Sequence, residues 1–295
     1  MPNFNKRLIK LSSILLTLFF YISLSAQNNE KIEGPIEYVY DSTKAFDLKA
    51  YIFFPNQWEL KESNSAMVIF HGGGWDIGDP SWGFGLAKKY AKKGMVTVAV
   101  QYSLSDQKSV TPIDAMQDAR NVILWMRKNS SELRIDRNRI VAYGWSAGAH
   151  LAASTAVFQT KSPENDISSA PNALILSSPA LSLGNDKWFE QLIMNKGKSE
   201  DYSPAEYLRE NMPPSIILVG KDDSVTPAYQ SKLFHTNMLK YKNESYLYIY
   251  DGVGHLFTPT GQPDDGWPKP DKKVKAKVDT EIGLFLKKFK FIDNN

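Results

Sequence analysis

The segment Gly144-Trp-Ser-Ala-Gly148 sets one serine between two glycines at G-x-S-x-G spacing. An apolar stretch, Arg139-Ile-Val-Ala-Tyr143, runs into it, and an Ala-rich helical stretch over residues 147–158 leaves it. In a strand–turn–helix setting such a serine sits on a crowded turn with its hydroxyl at the carboxyl end of a sheet, and glycine two residues to either side permits the close approach. The same residues also suit a Gly/Ser helix cap, so the reading depends on the partners that the rest of the chain supplies. The chemistry in question is nucleophilic attack by Ser146. It requires a base for the hydroxyl proton, an acid to orient the base, and donors for an oxyanion.

Only four histidines compete for the role of base. His150 lies four residues past Ser146 on the following helix and points along it, which suits packing. His71 precedes Gly72-Gly73-Gly74 and is placed to shape that loop through backbone hydrogen bonds. His235 falls among polar residues in a helix over 227–239 and reads as a surface group. His255 follows the last strand in Asp251-Gly-Val-Gly-His255, where glycines let a loop carry the imidazole back over the sheet edge. Placement and elimination both select His255. For the acid, the turn Gly220-Lys-Asp-Asp-Ser-Val-Thr-Pro227 offers Asp222 and Asp223, unless they only cap the next helix, a task Thr226 can also perform. For the oxyanion, His71-Gly-Gly-Gly-Trp75 after the apolar Met67–Phe70 presents uncovered, directionally fixed N–H groups, and the amide of Ala147 at a helix start is the natural partner. A phosphate cradle is disfavoured, because no G-x-G-x-x-G occurs and the Gly197-Lys198-Ser199 triplet has Leu192 where the phosphate-loop pattern requires its first glycine. With no cysteine and no H-x-x-x-H or H-E-x-x-H, no metal site and no cofactor are expected.

The elements that must position these groups are short apolar runs alternating with helical periodicity. Ile36–Tyr40 and Leu48–Phe54 read as strands around a turn near residues 41–44. Met67–Phe70, Met95–Gln101, Arg139–Tyr143, Ala173–Ser177, Ser215–Val219 and Ser245–Tyr250 follow as further strands. Helices are predicted over 87–93, 113–128, 147–158, 227–239 and 272–289. This pattern predicts an α/β fold, one domain over residues 36–292, with a mostly parallel central sheet and helices on both faces. Residues 181–213, with a helical piece over 188–194, read as a cap-like segment. Residues 256–270, LFTPTGQPDDGWPKP, form a long loop after the candidate base, of a length usually functional or disordered.

The amino terminus belongs to targeting rather than folding. Lys6, Arg7 and Lys10 precede an apolar run, Leu11–Leu24, and small residues Ser25-Ala26 precede the polar Gln27-Asn-Asn-Glu30. Residues 1–26 therefore read as a signal peptide, with an uncleaved membrane anchor as the alternative, and 27–35 as a polar linker. Those 26 residues hold three of the positive charges and no acidic ones, so the formal +3 becomes 3 − 3 = 0 in the mature chain. A neutral protein carries no electrostatic footprint for nucleic acid. The expected location is periplasmic or extracellular, with no membrane association of the mature form.

Taken together, H-G-G-G-W at 71–75, Ile135-Asp-Arg-Asn-Arg-Ile140 leading into G-W-S-A-G, and G-x-x-D-x-x-x-P at 220–227 resemble the α/β-hydrolase esterases, in particular the hormone-sensitive-lipase-like group and the bacterial feruloyl/acetylxylan-type (BD-FAE-like) carboxylesterases. The resemblance covers roughly residues 45–290. It implies Ser146 as nucleophile, His255 as base and Asp223, three residues after Gly220, as acid, with Gly73, Gly74 and Ala147 as oxyanion donors. Ala149 departs from the pattern, since many relatives carry a second glycine there.

The function this resemblance implies is hydrolysis of a carboxylic ester, on a small ester or an acylated glycan bearing acetyl or feruloyl groups. Trp75, Trp145 and Trp267 are candidates for lining the substrate cleft, although aromatic residues also fill cores. The alternatives are an exopeptidase of the prolyl-oligopeptidase type, a lipid or short-chain esterase, and a non-catalytic binding protein of the same fold.

Overall fold

The computed structural model describes residues 33–42, 46–106, 109–162, 167–263 and 267–293. The expected signal peptide, 1–26, lies outside the described residues. Eight strands, β1 (Glu33–Asp41), β2 (Leu48–Phe54), β3 (Asn64–Phe70), β4 (Val96–Val100), β5 (Ile135–Trp145), β6 (Ala173–Ser177), β7 (Ser215–Gly220) and β8 (Ser245–Tyr250), form one sheet in the order β1-β2-β4-β3-β5-β6-β7-β8. The β1–β2 and β2–β4 pairings are antiparallel, and every pairing from β4 to β8 is parallel.

Alternation along the strands divides the core in two, because successive side chains leave opposite faces of a sheet. Val68, Ala142, Leu174 and Ile217 point to one face, where they pack with α2 (Pro112–Lys128), α3 (Ala147–Val157) and α5 (Ala228–Lys240). Met67, Val141, Ile175 and Leu218 point to the other, under α1 (Phe84–Ala91) and α6 (Lys272–Lys288). Both faces are thus covered, which is why the central strands read as continuous apolar runs.

One expectation is corrected. The linker was expected to run to residue 35, yet Glu33 already pairs with Phe54, so β1 starts inside it. The cap-like segment 181–213 packs into the core of the domain. Leu181, Leu183, Phe189, Leu192, Ala205 and Leu208 are buried in the same core as α3 and α5, around a short helix α4 (Lys187–Leu192).

Candidate active site

The chain leaves β5 and enters α3 through Ser146, whose φ of 54° and ψ of −126° are costly for any residue with a side chain. Surrounding contacts hold it there. The Ser146 N–H donates to Ser177 O at the end of β6 (3.0 Å), and its carbonyl accepts from Ala149 and His150 (3.0 and 3.2 Å). The flanking glycines are a packing necessity: a Cβ on Gly144 would collide with the Gly148 carbonyl, and one on Gly148 would collide with the carbonyls of Phe70 and His71. The second collision also locates the glycine loop, since the first turn of α3 rests against the point where residues 71–75 leave β3.

Two further strand ends deliver an imidazole and a carboxylate to this serine. His255 sits just past β8, and its Nε2 lies 3.0 Å from Ser146 Oγ. Its Nδ1 faces the Asp223 carboxylate, 3.1 Å from Oδ1 and 3.0 Å from Oδ2. Asp223 follows β7 and is held in place by the N–H groups of Val225 (3.1 Å) and Thr226 (2.7 Å) and by the Thr226 hydroxyl (3.0 Å). The neighbouring Asp222 is exposed and accepts a hydrogen bond from Thr260. Asp223, Ser146 and His255 are all buried, so a charge formed on the imidazole meets a fixed carboxylate in place of water.

The glycine loop is arranged by its carbonyls. A trans peptide directs C=O and N–H oppositely, so fixing an oxygen aims the following N–H. The His71 Nδ1–H donates to Gly72 O (2.7 Å), and Gly73 O accepts from Asp76 and Ile77 (3.2 and 3.0 Å). These bonds turn the carbonyls of the 72–73 and 73–74 peptides toward the protein. Among the described residues, the N–H groups of Gly73, Gly74 and Ala147 donate to no protein acceptor. Tyr102 braces the loop, donating to His71 O (2.8 Å) while its ring stacks on the imidazole at 4.3 Å. Burial lowers the pKa of His71, keeping the ring neutral.

The remaining candidates separate by environment. Trp75, expected to line a cleft, is only 3% exposed. It packs edge-on against Phe189 and His150 and donates its indole N–H to His150 Nδ1 (3.1 Å), so it is a core residue. Trp145 is half-buried beneath Gly72, against the second core. Trp267 is 72% exposed and meets Trp82 edge-to-face at 4.9 Å. His150 is fully buried, with Nε2–H donating to Tyr202 O (2.9 Å), and burial pulls its pKa down to about 4. His235, read as a surface group, is half-buried and bonded to Ser245 Oγ (2.9 Å). Two residues of the site went unassigned in the sequence. Ser178 accepts at its carbonyl from Thr226 Oγ1 and at its hydroxyl from the Leu256 N–H (both 3.0 Å), linking the acid and base loops. Trp188 of α4 donates its indole N–H to Gly74 O (3.0 Å), fixing the far end of the oxyanion loop.

A mostly parallel sheet covered on both faces, with serine, aspartate and histidine gathered past the carboxyl ends of β5, β7 and β8, defines an α/β-hydrolase. Comparison with known proteins narrows this. A family model described as BD-FAE matches residues 51–174. Endo-1,4-beta-xylanase B of Butyrivibrio fibrisolvens is 27% identical over 242 residues, 78% of this chain and 38% of its own length. The chain therefore spans less than half of that relative. An arylesterase of Saccharolobus solfataricus is 25% identical over 82% of this chain and 79% of its own. Among solved structures, Thermogutta terrifontis esterase 2 phosphorylated by paraoxon superposes with a TM-score of 0.77 at 32% identity, covering 90% of this chain and 98% of that one. The chain belongs to the α/β-hydrolase carboxylesterases.

Proposed function

We propose that this protein is an exported serine carboxylic-ester hydrolase that removes acetyl or feruloyl groups from polysaccharides or their fragments. The observation that carries the reading is the continuous contact from Ser146 Oγ through the His255 imidazole to Asp223. As Ser146 Oγ attacks the ester carbonyl carbon, His255 Nε2 takes the hydroxyl proton, and the C=O electron pair moves onto oxygen. The N–H groups of Gly73, Gly74 and Ala147 receive that oxyanion. Asp223 stays ionised, holds the Nδ1–H tautomer and stabilises the imidazolium. Collapse of the intermediate breaks the ester C–O bond, and His255 gives its proton to the departing alcohol. Water then attacks the acyl-serine by the same route in reverse, releasing the carboxylic acid and restoring the Ser146 hydroxyl.

The glycan substrate is supported by the BD-FAE match and by the resemblance to a protein named as a xylanase. Export is supported by the basic, apolar and small-residue order of residues 1–26. The decisive experiment is Ser146→Ala assayed on p-nitrophenyl acetate, with circular dichroism as the folding control. A loss of at least about 10³-fold is expected for a triad member, and paraoxon is expected to phosphorylate the wild-type peptide containing Ser146. Turnover retained within tenfold by the variant refutes the reading.

A further inference from the structure

The structure assigns a second binding element, which rests on the esterase reading: the Trp82–Trp267 pair is a stacking platform for a sugar ring on the alcohol side of the ester. The two indoles meet edge-to-face at 4.9 Å, and both are open to solvent, at 37% and 72%. Trp267, left so exposed, forgoes most of the stabilisation its ring would gain from burial, and with Trp82 it presents a contiguous aromatic surface on which a ligand ring can rest.

Two independent connections place the pair on the rim of the catalytic groups. From the oxyanion side, the Trp82 ring packs edge-on against His71 at 5.7 Å, and His71 orients Gly72. From the base side, the segment after Trp267 is tied to the loop carrying His255. The Lys269 N–H donates to Thr258 Oγ1 (3.2 Å), and the Asp271 N–H donates to Phe257 O (2.8 Å). The pair thus bridges the oxyanion loop and the base loop at the surface.

The chemistry of the platform selects its occupant. A pyranose or furanose presents a face of slightly positive C–H groups, complementary to the negative face of an indole, and keeps its hydroxyls around the edge. On a ring that is 72% exposed those hydroxyls stay hydrated, so stacking incurs no desolvation of polar groups. An aryl acyl group has no such need for water and would gain more in an enclosed pocket.

The test separates this platform from the esterase reading. Xylotetraose, which carries no ester, is titrated calorimetrically into the Ser146→Ala protein, so binding is measured without turnover. Binding is expected, weakened at least five-fold by adding Trp267→Ala or Trp82→Ala, with Trp267→Phe closer to the parent. In otherwise wild-type protein, Trp267→Ala is expected to lower the ratio of kcat/KM for acetylated xylotetraose to that for p-nitrophenyl acetate at least five-fold. Absence of xylotetraose binding, or binding indifferent to both tryptophans, overturns the platform while leaving p-nitrophenyl acetate hydrolysis to judge the triad. If both substitutions weaken methyl ferulate binding but not xylotetraose binding, the platform takes the aryl acyl group and the sugar assignment is wrong.

Discussion

His150 is expected to make the fold acid-sensitive. Its ring is fully buried among Trp75, Phe189 and Tyr202, and both nitrogens are committed to the neutral tautomer. Nδ1 accepts the Trp75 indole N–H, and Nε2–H donates to Tyr202 O. A proton on Nδ1 would face an N–H donor with no acceptor in reach, inside an apolar cluster. Desolvation accordingly lowers the pKa to about 4, from the ordinary imidazole value of about 6.5. The sign follows from linkage: between these values the unfolded chain binds a proton that the native state refuses, so stability falls as pH falls. The loss starts near pH 6.5 and levels off below about pH 4. At about 1.4 kcal/mol per tenfold change in proton affinity, the full effect is at most about 3 kcal/mol, of which roughly 2 kcal/mol accrues between pH 7 and pH 4.5.

The perturbation is His150→Gln, which keeps an amide donor for Tyr202 O and removes the titration. Urea unfolding at pH 7.0 and pH 4.5 gives the stability of each protein at each pH. The variant is expected to lose about 2 kcal/mol less than wild type between the two conditions. It will still lose some, because burial also lowers the pKa of His71 and adds a term of the same sign. Equal losses in both proteins, within about 0.5 kcal/mol, would show that His150 titrates as it does in the unfolded chain, and the argument from its hydrogen bonds would fail.

The proposed catalytic acid and the proposed oxyanion loop give two further tests. Asp223→Asn should lower kcat on p-nitrophenyl acetate by about 10³- to 10⁴-fold, as expected when the tautomer of the base is lost, whereas Asp222→Asn should stay within about three-fold, typical of an exposed side chain. The reverse order would move the acid by one residue. Trp188→Phe keeps an aromatic ring, though a smaller one, and removes the donor to Gly74 O. With a net hydrogen bond of about 0.5–1.5 kcal/mol, kcat should fall about 2- to 12-fold if that bond positions the loop, and an unaltered kcat would make Trp188 a wall and nothing more.

Why the strand boundaries were legible in places and not in others has a physical answer. Leu48–Phe54 and Ser245–Tyr250 coincide with the strands predicted, because β-rich residues are bounded by turn-formers at both ends. The start of β1 was missed because Glu33-Gly-Pro35 has no strand propensity of its own and is drawn into the sheet by its partner Phe54. The early start of β5 at Ile135 has the same cause, since the polar Asp136–Arg139 hides a pairing of Ile135 with Asn64. In both cases the missing information is the neighbouring strand.

The same distinction governs the site. Ser146, Asp223 and His255 stand within five residues of a strand end, so locating the strands narrows each side chain to a short turn, and their order along the chain could be read. The tryptophans offer no such anchor. Trp75 follows the oxyanion glycines directly, yet its φ of 66° accompanies an inward turn, and the indole ends in the core on His150. Trp82 and Trp267 lie on loops far apart in sequence and meet only because residues 267–271 are tied back to the His255 loop. Reaction type is therefore carried by residues whose placement is local to a strand end. The Trp82–Trp267 contact joins segments that no local pattern connects. That is why a serine, an acid and a base in order could be read along the chain, while the pairing of the two tryptophans became visible only in the folded chain.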